Sequence, residues 1–151
     1  MTGLRILTLI SALVMALAAS AAERTIIVLD GSGSMWGQIN GTTKIEIARE
    51  TLAEVLGSVP GTMELGLMVY GHREKGSCSD IELAVAPAAG TGAAIDAFAN
   101  GINPKGKTPI SASVKMAAEQ LRYQEDKATV ILVTDGLETC EADPCALATE
   151  L

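Results

Sequence analysis

The sequence predicts an α/β fold, with an open and largely parallel sheet flanked by helices. Three observations lead there. The apolar runs Thr25 to Leu29 and Thr129 to Thr134 are short and continuous, as in strands buried on both faces. Between strand-like segments lie stretches whose apolar residues recur at helical spacing. The two kinds of segment alternate along 151 residues, a length that suits one domain. Hydrophobic residues make up 48% of the chain and aromatics only 3%, so the core must be built from Ala, Val, Ile, Leu and Met.

Residues 1–22 are expected to lie outside the fold. Arg5 is a lone positive charge before the apolar run Ile6 to Ala19, and Ala19-Ser20-Ala21 is a small-x-small cleavage pattern. This reads as a secretory signal peptide cut after Ala21 or Ala22, because the apolar run falls short of the roughly 20 residues that span a bilayer. The domain proper then covers 23–151, and the protein is expected to be exported, to a periplasm or the extracellular space. Loss of the leader removes only Arg5 from the charged residues, leaving ten Lys and Arg against 18 Asp and Glu. Such an acidic chain repels nucleic acid and anionic membranes, so no nucleic-acid partner is expected, and no stable membrane anchor after the leader is cut.

Thr25 to Leu29 forms the first strand. Lys44 to Val59 is an amphipathic helix, with Ile45, Ala48, Leu52, Val55 and Leu56 at helical spacing. Thr43 and Glu46 have capping-box spacing at its start, and Gly57 and Pro60-Gly61 end it. Met63 to Tyr70 reads as a second strand, and Ile81 to Ala86 as a short edge strand closed by Pro87. Gly92 to Ala99 is an Ala-rich helix. Pro109 to Tyr123 is another, with proline at its first position, where a missing N–H costs little. Thr129 to Thr134 is the most apolar strand, and Asp143-Pro144 opens a last helix. The chain stops inside that helix, at Leu151, so one sheet edge is expected to be exposed.

The chemistry concentrates where the first strand ends. Asp30-Gly31-Ser32-Gly33-Ser34 presents a carboxylate and two hydroxyls two residues apart, hard oxygen donors that suit Mg²⁺, Mn²⁺ or Ca²⁺ rather than softer metals. Thr108 in Lys105-Gly106-Lys107-Thr108-Pro109 and Asp135 in Val133-Thr134-Asp135-Gly136 complete the set. In an open α/β sheet, ligands bind beyond the carboxyl ends of the strands, where strand order reverses. Adjacent first and last strands would bring Asp30 and Asp135 together there.

Asp-x-Ser-x-Ser, a later Thr, and Thr-Asp-Gly after an apolar strand resemble the von Willebrand factor type A domain and its metal-ion-dependent adhesion site. The stretches Tyr70-Gly71-His72-Arg73 and Asp135-Gly136-Leu137-Glu138-Thr139-Cys140 are similar to those of secreted bacterial members. The resemblance covers Arg24 to the end and implies a Rossmann-like sheet, lacking here the family's last strands and helix. It implies that Ser32 and Ser34 bind the metal directly, and Asp30 and Asp135 directly or through water. Thr108 would ligate in one conformational state only. It also implies a protein ligand that offers a carboxylate to the metal, and a binding module rather than an enzyme.

Other motifs compete with this reading. Gly101 to Thr108 fits the phosphate-loop pattern Gly-x4-Gly-Lys-Thr, the basis of an alternative nucleotide-binding reading. That motif needs a strand before Gly101, where the sequence reads as helix, and Pro104 removes an N–H from the cradle. A Ser–His–Asp triad would depend on His72, the only histidine. Trp36 reads either as a buried structural residue or as a binding hot spot beside the metal. Glu138, Glu141 and Asp143 read as a solvated acidic rim or as a selector of basic partners. Asn40-Gly41-Thr42 fits a glycosylation sequon. Of the three cysteines, Cys140 and Cys145 are expected to pair across one loop, leaving Cys78 over.

Overall fold

In the computed structural model, which describes residues 23–151, the first strand is apolar because neither of its faces meets water. The leader expected over residues 1–22 lies outside the described residues. Strand β1 (Arg24–Asp30) is buried from Thr25 onward. Ile27 and Leu29 point into one hydrophobic cluster, Ile26 and Val28 into another, as period-two alternation requires. A short 3-10 turn, Gly33–Trp36, follows and seats Met35 in the first cluster. A two-stranded hairpin, β2 (Gln38–Ile39) and β3 (Thr42–Thr43), then leads into helix α1 (Lys44–Ser58). The capping box at Thr43 and Glu46 is formed, satisfying backbone donors at the start of α1.

Strand β4 (Glu64–Tyr70) lies parallel to β1, and β5 (Ile81–Ala89) runs antiparallel on its outer edge. The expectation that Pro87 closes β5 is corrected: the strand continues to Ala89. Its pairing jumps from Leu67–Val85 to Leu65–Ala88, a bulge opposite Gly66. A Cβ on Gly66 would stand 2.9 Å from the Pro87 ring. An edge strand with a bulge tolerates proline because the missing N–H is not needed by a neighbour.

Helix α2 (Gly92–Gly101), helix α3 (Ile110–Gln120), strand β6 (Ala128–Val133) and helix α4 (Pro144–Glu150) complete the chain. Pro109 stands one residue outside α3 rather than at its first position. The sheet order is β5-β4-β1-β6, with β1 parallel to both neighbours. Helices α1 and α2 cover one face through Ile45, Ala48, Leu52, Ile95 and Ala99. Helix α3 covers the other through Ile110, Ala117 and Leu121. Arg49 ties the first pair together by donating to the carbonyls of Ala99 and Ile102, at the end of α2. The result is the helix–sheet–helix arrangement of a Rossmann-like fold. Strand β6 pairs only with β1 among the described residues and exposes Ile131 and Leu132 at the sheet edge. No described helix is long and apolar enough to cross a membrane.

Candidate metal centre

The chain enters the sheet at β1, moves to one side for β4 and β5, then crosses back to place β6 on the other side of β1. The carboxyl ends of β1 and β6 therefore flank a point where strand order reverses. Asp30 ends β1, and Asp135 stands two residues beyond β6.

Asp30 is completely buried. One carboxylate oxygen accepts from the backbone N–H of Ser32 at 2.7 Å, and the other from the Thr134 hydroxyl at 2.7 Å. The Tyr70 hydroxyl donates in turn to the Thr134 oxygen at 3.1 Å. Burial first, and the nearby Asp30 charge second, push the Tyr70 phenol far above its ordinary value, so it stays a neutral donor. Two hydrogen bonds thus orient Asp30, yet no basic side chain forms an ion pair with it among the described residues.

Ser32, Ser34 and Asp135 form a connected line. The Ser32 and Ser34 hydroxyl oxygens are 3.0 Å apart, and Ser34 donates to Asp135 Oδ1 at 2.7 Å. Asp135 Oδ2 accepts from Lys44 Nζ at 2.5 Å. Burial alone would raise the Asp135 carboxyl. The hydrogen bonds from Lys44 and Ser34, with the Lys44 charge, outweigh it and hold Asp135 below the usual carboxylate range.

Thr108 reaches the same place through the loop between α2 and α3. Ser32 and Gly106 form a parallel bridge, with the Gly33 N–H donating to the Gly106 carbonyl at 3.1 Å. The N–H groups of Lys105 and Gly106 donate to the carbonyls of Gly31 and Gly71. This close approach needs glycine. Gly71 has φ +69°, and a Cβ there would stand 2.5 Å from the Lys107 carbonyl oxygen. Beyond the loop, Thr108 N–H donates to the Thr139 hydroxyl at 2.8 Å, and Thr139 N–H returns a bond to the Thr108 carbonyl at 3.1 Å. Ser32, Ser34, Gly106, Lys107, Thr108, Gly136, Leu137 and Thr139 line one cleft of about 390 Å³. All five expected ligand residues therefore gather at this end of the sheet.

The nucleotide-binding alternative is overturned. Helix α2, not a strand, runs into Gly101, and the N–H groups of Lys105 and Gly106 are spent on Gly31 and Gly71. A phosphate cradle needs such donors free. His72 is also engaged elsewhere: its Nε2 is 2.9 Å from Glu82 Oε2, and its ring meets Phe98 edge-on.

The expected Cys140–Cys145 pairing is also corrected. Cys78 and Cys140 form the disulfide, and Cys145 is free and exposed. The loops after β4 and β6 both emerge at the carboxyl edge of the sheet, so residues 62 apart in sequence meet there. Trp36 is half exposed, and its indole N–H donates to the Pro104 carbonyl at 2.8 Å, clipping the loop that carries Thr108. The Glu138 carboxylate accepts from the N–H groups of Ser111 and Cys140, both at 2.8 Å, while Leu137 beside it is exposed. Sequence reasoning missed Lys44, Thr134 and Thr139. For Lys44 the signal was Asn40-Gly41, a dipeptide that favours a tight hairpin and whose φ angles here are +52° and +89°.

Residues 25–138 match the family model for the von Willebrand factor type A domain. The chain is 31% identical over 129 residues to the uncharacterized protein YwmD of Bacillus subtilis (strain 168), covering 80% of this chain and 58% of YwmD. It superposes on an aerotolerance-related membrane protein from Bacteroides fragilis NCTC 9343 with a TM-score of 0.68 and 22% identity, over 85% of this chain and 61% of that one. The pilus adhesin SpaC from Lactobacillus rhamnosus GG gives a TM-score of 0.60 and 23% identity, over 80% of this chain and 16% of SpaC. At such identities the two structural likenesses concern the fold. The chain spans less than two thirds of the length of YwmD.

Proposed function

Because the chain belongs to the von Willebrand factor type A domain family, we propose that it is an exported protein-binding module that depends on a divalent cation. Domains of this family are in general interaction modules, and one structural neighbour is a pilus adhesin. The observation that carries the metal reading is Asp30. A completely buried carboxylate without a basic partner among the described residues is costly, and such groups are paired or coordinate metals. At the same end of the sheet, Ser32, Ser34 and Thr108 offer hydroxyls and Asp135 a carboxylate, all hard oxygen donors. That set fits Mg²⁺, with Mn²⁺ or Ca²⁺ as substitutes.

In this reading Ser32, Ser34 and Thr108 hold the cation, with Asp30 and Asp135 ligating it directly or through water. When bound, the cation supplies a Lewis acid that takes a carboxylate from a protein partner. Thr134 and Tyr70 keep Asp30 oriented, and Thr139 fixes the backbone of Thr108. Trp36 and Leu137, exposed near the cleft, give the partner apolar contact area. Glu138 contributes by holding the Leu137–Cys140 loop rather than by reaching outward. No nucleic acid takes part, since the acidic chain repels it. The module works by binding, without turnover.

Thermal unfolding tests this. A ligand that binds the folded state raises the midpoint by mass action. Added Mg²⁺ or Mn²⁺ is expected to raise it relative to EDTA, and Ser34→Ala and Asp30→Asn to abolish the rise. A rise retained in both variants contradicts the assignment.

A further inference from the structure

Lys44 belongs to neither the expected ligand set nor the hydrophobic core. It is the first residue of α1, where a cation is disfavoured because the helix N-terminus carries partial positive charge. The local structure nonetheless holds it at the site. The Asn40-Gly41 hairpin turns the chain back, and Lys44 N–H donates to the Gly37 carbonyl at 2.8 Å. Gly37 leaves room for the side chain: a Cβ there would stand 3.2 Å from Lys44 Cε and 3.4 Å from Nζ. The ammonium then meets Asp135 Oδ2, and only 31% of the lysine side chain is exposed.

The manner of approach decides what this charge does. Asp135 offers Oδ1 to Ser34 and Oδ2 to Lys44. Lys44 and Asp135 line a cleft of about 400 Å³ with Met35, Ile47, Val133 and Thr134, beside the one lined by Ser32, Ser34 and Thr108. The ammonium thus meets Asp135 at the oxygen that Ser34 leaves free, and it can keep that oxygen when a cation enters on the Ser34 side. Asp30 and Asp135 bring two negative charges, and Lys44 cancels one. A divalent cation then leaves the filled site with one net positive charge. Without Lys44 the two carboxylates would match the charge of the cation, and the filled site would attract another anion less strongly. The exposed Lys107 on the cleft adds to the same sign, and the Glu138 carboxylate is occupied by the N–H groups of Ser111 and Cys140.

We propose that Lys44 is a resident counter-charge of this site, which weakens binding of the bare divalent cation and keeps the filled site positive, so that cation and partner carboxylate bind cooperatively. The inference rests on the metal-site reading above. Lys44 is a positioning and charge-setting residue, and it touches neither the cation nor the partner.

The test is Mn²⁺ titration followed by the electron paramagnetic resonance signal of free Mn²⁺, with and without glutarate as a small carboxylate probe. Wild type, Lys44→Met, Lys44→Gln and Lys44→Arg are compared at low ionic strength, after thermal unfolding in EDTA has identified which neutral variant is folded. A unit charge a few Å away is worth about tenfold or more in affinity at the dielectric of a protein surface. The folded neutral variant is expected to bind Mn²⁺ alone about tenfold more tightly than wild type. Glutarate should tighten Mn²⁺ binding in wild type and Lys44→Arg, and do so less in the neutral variant. Equal or weaker Mn²⁺ binding in the neutral variant overturns the proposal while leaving the metal site standing. Absence of Mn²⁺ binding in every protein, wild type included, removes the metal-site reading and this inference with it.

Discussion

Asp30 and Asp80 are both buried carboxylates, and they differ in what answers their charge. Asp80 accepts from Arg73 Nε at 2.7 Å and from the N–H groups of Arg73 and Glu74 at 2.7 and 2.8 Å. Burial pushes its carboxyl up, but the Glu74 N–H and the Arg73 guanidinium and N–H outweigh that and hold it below the usual range. Asp30 has hydrogen bonds and no guanidinium, which is why a cation is assigned to it and not to Asp80. The difference yields a pH prediction. A carboxyl whose folded pKa is depressed contributes its stability fully above the unfolded value of about 3.9, and loses it as pH falls through the folded value. The urea midpoint of the wild type is therefore expected to fall more steeply between about pH 5 and 2 than that of Asp80→Asn, which should be less stable at pH 7 by about 1–3 kcal/mol. Parallel pH profiles for the two proteins would contradict the role given to Asp80. At this scale the sequence was most legible where donors are contiguous. Asp30, Ser32 and Ser34 reveal themselves by spacing alone. Lys44 and Thr139 act through partners 91 and 31 residues away, and no local pattern marks such pairs.

Between residue and fold, the elements are legible wherever hydrophobic periodicity decides them. Strands β1, β4 and β6 and helices α1, α2 and α3 follow from apolar runs or helical spacing, with ends displaced by a residue or more, as terminal turns fray and proline shifts a boundary. What escaped was decided by turn chemistry and by contacts across the fold. Asn40-Gly41 carried a hairpin signal that the glycosylation pattern obscured. Pro87 stays within β5 only because Gly66 faces it across the bulge. Sequence proximity favours Cys140 with Cys145, whereas sheet topology brings Cys78 to Cys140. That bridge fastens the loop after β4 to the loop that holds Thr108 through Thr139. Closing so long a loop constrains the unfolded chain, and removal of such a bridge costs about 2–4 kcal/mol. Reduction is expected to lower the urea midpoint accordingly, and peptide mapping of the unreduced protein to recover Cys78 joined to Cys140. A Cys140–Cys145 peptide, or a midpoint indifferent to reduction, would contradict this.

Across the whole molecule the alternation of strands and helices made the layers legible, and the sheet order followed only in part. That β1 and β6 are neighbours was a condition for the site, and the structure meets it. The site therefore depends on the sheet as a whole. Asp30 comes from β1, Asp135 from β6, Thr108 from the loop after α2, and Gly71, which receives that loop, from the end of β4. A turn in isolation could not bring these residues together.

The central claim, that a divalent cation binds among these five residues, is tested most directly by adding substoichiometric Mn²⁺ to the isotopically labelled protein. Paramagnetic broadening then shows which backbone amides lie near the ion. The amides of Ser32, Ser34, Thr108 and Asp135 are expected to broaden first, and those of Val59 to Gly61, at the far end of α1, to stay sharp. Broadening centred anywhere else, or none at all, would contradict the account.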